Sequence, residues 1–433
     1  MISVTGRFAG VGSFGYGWGS SMGRYDVIIL GGGPAGSAAA LTLAGRGRRV
    51  LVVEKEVFPR FHIGESLLPY NRRLLETLGI LPLVEAGGFM RKIGAQFWLG
   101  NGSKHVNFLF ANGCFNEETT AWQVERSVFD DLLLKEVRRR GVEVREGCGA
   151  GSFAVEAGRV TVGLDGGGRE EADFLIDATG QTSFTGVREG LRELNPRHRK
   201  IAIFGHFRGI PLPEGERQGD IIIVRLENEW AWLIPLTPER VSVGLVLDQA
   251  AFKAEGVSPE AIFERLVDSS AVLREKLGSA ERLGPLRTIA DYSYTHRRFV
   301  SPRLVRVGDA AGFLDPVFSS GVHLAMESGH EAAMAVDDAL ARGAVVTARL
   351  RRYERWLRRS MRMYFRMIEK FYTRPFIEVF VEPRPFLRLP AAVSAVLAGR
   401  LDAPWAVRWR LAVFFLIVAL RARFPQTAPM RFT

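Results

Sequence analysis

The chain has 433 residues, 47% of them hydrophobic and 24% charged. That globular composition fills one large or two closely packed domains and argues against a disordered or fibrous chain. The formal net charge is +11, but no nucleic-acid-binding module accompanies it, so nucleic acid is set aside as a partner. Two cysteines, Cys114 and Cys148, lie far apart without metal-ligand spacing; they argue against a disulfide framework and fit a reducing, cytoplasmic setting, and no metal is assigned.

Residues 1–23 are rich in Gly, Ser and aromatics. They lack the basic start and apolar core of a signal peptide, and are expected to form a flexible leader outside the fold. Asp26–Leu30 reads as a strand, Gly31–Gly36 as a tight turn, and Ser37–Ala44 as a helix, which together make a dinucleotide-binding fingerprint. Gly31 permits the turn, Gly33 lets the backbone approach a pyrophosphate, and Gly36 allows the helix to pack closely on the strand. Arg49–Glu54 is a second strand whose terminal acid, Glu54, is placed to accept hydrogen bonds from a ribose.

Phe89–Phe97 reads as strand, so Arg91 and Lys92 point to opposite faces, and Lys92 shares its face with Gly94 and Gln96. Phe174–Gly180 and Leu304–Gly312 are strands ending in small-residue turns. Between them, Trp230-Ala231-Trp232-Leu233-Ile234-Pro235 sets two indoles on one face of a strand and Ala231 and Leu233 on the other. Asp315–His323 forms a turn into a helix, with Ser319 or Ser320 suited to cap it. His323 and His330 lie seven apart on that helix without a carboxylate-histidine pattern and read as structural.

From Arg349 to Arg374 ten cations face only Glu354 and Glu369, giving a basic helical face. Pro375, Pro383, Pro385 and Pro390 break the helical tail that follows. The apolar run Leu411–Leu420 has ten residues, too few to span a bilayer, and reads as a buried terminal helix or less favourably an interfacial one.

The segments around Asp177 and Asp309 resemble the second and third FAD motifs of the aromatic hydroxylase-like flavoprotein superfamily. In that superfamily the counterpart of Asp309 binds the ribityl chain, and Arg126 resembles the arginine placed near the FAD phosphates. Within it, Phe58–Ser66 and the Trp230–Pro235 element resemble the flavin-dependent halogenases, over most of the chain from Asp26 to about Gly329. The resemblance implies an α/β fold: a Rossmann-type FAD-binding domain (24–341) interleaved with a β-sheet substrate layer (about 89–110 and 200–295). A helical C-terminal region (342–433) would cover the substrate chamber. It also implies a cofactor set of Gly31, Gly33, Pro34, Ala35, Gly36, Glu54, Lys55, Arg60, Ser66, Arg126, Asp309 and Gly312.

In those enzymes FADH2 and O2 convert chloride or bromide to hypohalous acid, which travels past an indole wall to a lysine. The resemblance assigns the wall to Trp230 and Trp232, the lysine to Lys92, halide binding to the Ser320 and Gly321 amides, and a further catalytic role to Ser319. An ammonium at Lys92 would polarise the reagent, while a neutral amine, favoured by burial, would form a haloamine. Phe318 stands where tryptophan halogenases carry a glutamate, which points instead to phenols, pyrroles or carrier-bound aromatics. The implied partners are a separate flavin reductase, because no second nucleotide fingerprint is present, and an acidic acyl carrier protein docked on the basic helix. Membrane contact is not favoured. The competing readings are a single-component FAD/NAD(P)H aromatic hydroxylase, an isoprenoid-lipid reductase of the same superfamily, and a non-catalytic flavin carrier.

Overall fold

The computed structural model describes residues 24–156, 158–196, 198–290, 293–425 and 430–433; the expected leader, 1–23, lies outside them. Two sheets organise the chain. The first is built on parallel strands in the order Leu304–Arg306, Arg169–Asp177, Tyr25–Leu30, Val50–Val53 and Glu143–Arg145. Its central strands are buried on both faces, as their unbroken Val, Ile and Leu runs require. Gly31 follows the first strand at φ +101°, and a Cβ there would lie 2.3 Å from the Ala178 carbonyl oxygen. A Cβ on Gly36 would lie 1.9 Å from the Gly31 oxygen, so the helix Pro34–Ala44 starts hard against the strand end.

The second sheet runs Glu281–Arg282, Lys200–Arg208, Arg240–Asp248, Trp230–Thr237, Ile221–Arg225, Gly94–Leu99 and His105–Leu109. Its two faces divide the core. Trp230, Trp232 and Ile234 enter the main core, whereas Ala231 and Leu233 enter a second core under the helix Pro259–Asp268, the alternation expected of the strand. Residues 249–277, within the stretch expected to be strand-rich, instead form three helices covering that outer face.

One expected face is corrected. The strand containing Lys92 ends there, and a new one starts at Gly94 in a different sheet. Met90–Lys92 pairs with Ala121–Gln123, while Gly94–Leu99 pairs with Ile221–Arg225 and His105–Leu109. Lys92 and Gln96 therefore do not share a continuous face: Lys92 turns to Ser66, and Gln96 accepts a hydrogen bond from Trp98 Nε1. Arg91 is exposed and Lys92 buried, on the opposite faces that alternation predicts.

The C-terminal region is helical. Ala348–Phe371 buries Leu350, Tyr353, Leu357, Met361, Tyr364 and Ile368 and presents its arginines outward. Arg374–Phe380, Leu389–Leu397 and Trp405–Arg423 follow. No helix among the described residues is long and apolar enough to cross a membrane.

Candidate active site

A cavity of about 480 Å³ lies between the two sheets. Gly31, Gly33, Pro34, Ala35, Glu54, Lys55, Arg60, Ser66, Arg126, Asp309, Ser319 and Gly321 line it, together with Trp230 and Trp232. Gly36 and Gly312 do not line it. Gly312 packs against Tyr294 and Met361, where a Cβ would meet the Met361 methyl at 2.6 Å. Ser320 is buried beside the cavity rather than lining it.

The cavity fits FAD. Gly33 begins the helix Pro34–Ala44, whose first amides and positive dipole end face the cavity, the arrangement that binds a pyrophosphate. Arg126 is held rigidly by both oxygens of buried Asp130 and by the Ile63 and Gly64 carbonyls, and Arg60 joins the same carboxylate at 2.8 Å. The Glu54 carboxylate accepts from the Gly32 and Glu56 amides at 2.7 and 2.9 Å, which fixes it at the cavity edge. Burial pushes the Asp309 carboxyl up to about 7, opposed by the Arg126 charge; a polyol chain beside it would solvate it.

The wall is more extensively tied than its sequence showed. The two indoles lie 5.8 Å apart, tilted at 49°. Trp232 Nε1 donates to Ser242 Oγ at 3.2 Å. Trp230 Nε1 donates to Tyr372 Oη at 2.8 Å, and Tyr372 in turn donates to Asp315 Oδ2 at 2.6 Å. Burial raises the pKa of both Tyr372 and Asp315. Asp315 also holds the Val317 amide, so one hydrogen-bond chain joins the wall, the C-terminal region and the turn before Ser319. Tyr372 and Ser242 were missed because their partners are far away in the chain or on another strand.

Ser319 adopts φ +55° and caps the helix Ser320–Ala341 without a side-chain hydrogen bond, so the expected hydroxyl cap is absent. The first amides of that 22-residue helix, on Ser320 and Gly321, point from its positive end. Nothing would obstruct a Cβ on Gly321. An anion fits this open, uncapped end.

Lys92 is 1% exposed and does not line the flavin cavity. Its Nζ donates to Ser66 Oγ at 2.9 Å and to the Leu67 carbonyl at 3.0 Å, and it lies 5.6 Å from the Phe110 ring centroid. Because Ser66 does line the cavity, one hydroxyl separates amine and cavity. Burial pulls the Lys92 amine down to about 7, against the opposing charge of Asp220. The residue before Ser66, Glu65, was also missed: Oε1 lies 2.8 Å from His206 Nε2, and Oε2 is buried on the cavity wall without a hydrogen-bond partner.

His323 meets the Gly399 carbonyl and His330 meets Thr42, in keeping with structural roles, and no metal-binding cluster occurs among the described residues. The two cysteines are free.

The profile of the tryptophan halogenase family matches residues 26–120 and 111–375. This chain is a member of that flavin-dependent halogenase family. A tryptophan 2-halogenase of Chondromyces crocatus is 36% identical over 327 residues, 73% of this chain and 61% of that protein. A 1H-pyrrole-2-carbonyl-[peptidyl-carrier protein] brominase of Pseudoalteromonas luteoviolacea is 33% identical over 330 residues, 74% of this chain and 79% of the relative. The solved flavin-dependent brominase Bmp2 superposes with a TM-score of 0.82 at 28% identity, covering 93% of this chain and all of that one. The halogenase family accounts for the flavin cavity and the mixed α/β architecture together.

Proposed function

We propose that the protein is an FADH2-dependent halogenase of an electron-rich aromatic, using O2 and chloride or bromide. The observation that supports this most strongly is the buried Lys92 amine, one hydroxyl from the cavity that Trp230 and Trp232 also line. Reduced FAD, when bound, supplies the oxidation of halide by O2.

The chain's own residues do the rest. Gly31, Gly33, Pro34 and Ala35 seat the pyrophosphate, with Arg60 and Arg126 nearby. The Ser320 and Gly321 amides hold halide, beside Ser319. The indoles keep the acceptor from the flavin. Two hydrogens of Lys92 are committed to Ser66 and Leu67, so one tetrahedral direction stays open: a third N–H when the amine is protonated, a lone pair when it is not. Either form engages hypohalous acid. Transfer of the halogen to a ring carbon then releases the ring proton with hydroxide as water.

Phe318 is buried against Phe97 and Phe371 and brings no carboxylate to orient a free amino acid. We therefore favour a phenol, pyrrole or carrier-bound aromatic, the last in line with the carrier-bound substrate named for the Pseudoalteromonas relative. A second reading, free tryptophan halogenated at carbon 2, has the Chondromyces relative's name in its favour. A separate flavin reductase and the reducing cytosol complete the proposal.

The test supplies reductase, NADH, FAD and bromide with a panel of phenols, pyrroles, carrier-bound pyrrole and tryptophan. Brominated phenol or pyrrole, absent without bromide, is expected by mass spectrometry. Oxygen insertion without halide, or NAD(P)H oxidation by the protein alone, would establish the hydroxylase instead. Exposed Arg351, Arg352, Arg355, Arg359, Arg362, Arg366 and Lys370 form the outer face of Ala348–Phe371, suited to steering an acidic carrier. Arg355→Glu with Arg359→Glu should raise KM for a carrier-bound substrate severalfold, more so at low salt, and leave a free phenol unaffected.

A further inference from the structure

We propose that the C-terminal helices form a docking surface for anionic phospholipid membranes. The terminal helix, Trp405–Arg423, is apolar around its middle, but only one side is packed: Val407, Leu411, Phe414, Phe415 and Val418 are buried. The opposite side is apolar too. Trp405 is 75% exposed, Leu416 58%, Leu420 49% and, just past the helix end, Phe424 65%. With Trp409 and Ala412 between, these positions recur every three or four residues and make one continuous stripe. A helix docked only on its own protein core carries polar residues there, and an apolar stripe of this extent marks a surface that meets something else.

Two further observations identify the partner. A cavity of about 690 Å³ opens beside the stripe, lined by Phe380, Leu389, Val393, Phe414, Ile417 and Leu420. It is separate from the flavin cavity and apolar enough to take the end of an acyl chain. Phe386, which lines it, and the adjacent Leu387 are also exposed.

The charge around this surface is predominantly positive: Glu378 and Glu382 line the cavity, but each is held in an ion pair, with Arg421 and Lys104 respectively. Residues 383–433 contain eight arginines and a single acid, Asp402. Arg408 and Arg423 are exposed on the terminal helix, and Arg384 lines the cavity beside Phe386. Arginines bordering Trp, Leu and Phe suit a helix lying in the plane of a membrane, with apolar side chains among the acyl chains and guanidinium groups at the phosphates. A two-fold dimer through the same face would bring the same arginines together. An acidic carrier is matched better by the basic helix Ala348–Phe371, whose outer side carries charge rather than an apolar stripe.

Flotation of the full-length, FAD-loaded protein with vesicles tests this. Binding to phosphatidylglycerol vesicles at least tenfold tighter than to phosphatidylcholine, weakening with salt, is expected. Leu416→Gln with Leu420→Gln, or Trp405→Ser alone, should remove most of that binding at unchanged Tm and unchanged bromination of a water-soluble phenol. Arg408→Glu with Arg423→Glu should weaken binding only to the anionic vesicles. Absence of flotation with both lipids, or binding indifferent to these substitutions, overturns the proposal. So does a solution dimer, seen by light scattering, that Leu416→Gln with Leu420→Gln dissociates, because the stripe would then belong to a second copy. Bromination does not enter the binding readout, so a failed halogenase assay and a failed membrane assay remain distinct results.

Discussion

Lys92→Ala is expected to abolish halogenated product while reductase-coupled NADH oxidation continues at the wild-type rate. The amine lies outside the flavin cavity with Ser66 in between, so its removal leaves the cofactor seat intact and takes away the group proposed to hold the reagent. Halide oxidation then yields free hypohalous acid, which a dye-halogenation assay detects in place of brominated acceptor. Loss of flavin oxidation along with product would place Lys92 in the flavin chemistry instead. Wild-type product formation would remove it from the reaction.

The same side chain makes a pH prediction of definite sign. The folded-state pKa is lowered from the usual 10.5 to about 7, so between these values the unfolded chain holds the extra proton. Stability therefore rises with pH through that window, and the penalty of the buried charge is complete below about pH 7. Lys92→Met removes this dependence: the slope of unfolding free energy against pH between roughly 7 and 10.5 should flatten by close to one proton. An unchanged slope would mean that the amine is no more difficult to charge in the fold than in solution.

Local pattern carried much of the architecture. The Gly31–Gly36 turn, the alternation that sends Trp230 and Trp232 one way and Ala231 and Leu233 the other, and the opposite directions of Arg91 and Lys92 all follow from spacing along one segment; that Lys92 is the one turned inward followed only from the resemblance. What spacing could not show was pairing at a distance. The chain leaves one sheet at Lys92 and enters another at Gly94, because the two strands have different neighbours; a period-two reading carries straight across that break. Tyr372 stands 142 residues from Trp230, and nothing in its own surroundings marks it as the link between the wall and Asp315. Nor does the motif around Gly312 show that the space its missing side chain leaves is taken by Met361, from a helix far along the chain.

Gly244→Ala should damage the wall more than any exposed substitution. Gly244 lies directly opposite Trp232 on the neighbouring strand, and an added Cβ would fall 2.1 Å from Trp232 Cζ2 and 2.3 Å from Cη2. The indole has little room to yield, since it is buried among Trp230 and Phe204 and donates to Ser242. Overpacking of this kind costs about 1–3 kcal/mol, and here the simplest relief is to push the indole out of the wall. A lower Tm is expected, with less halogenated product per flavin oxidised. Trp232→Phe removes the ring atoms that clash, so adding it to Gly244→Ala should recover Tm without recovering coupling, because the barrier remains one indole short. A single variant that keeps wild-type Tm and coupling would show that the strand moves freely and that Trp232 is not held where its neighbours place it. Recovery of coupling in the double variant would show that a phenyl ring serves as well, and that filling the space, rather than the indole itself, separates acceptor from flavin.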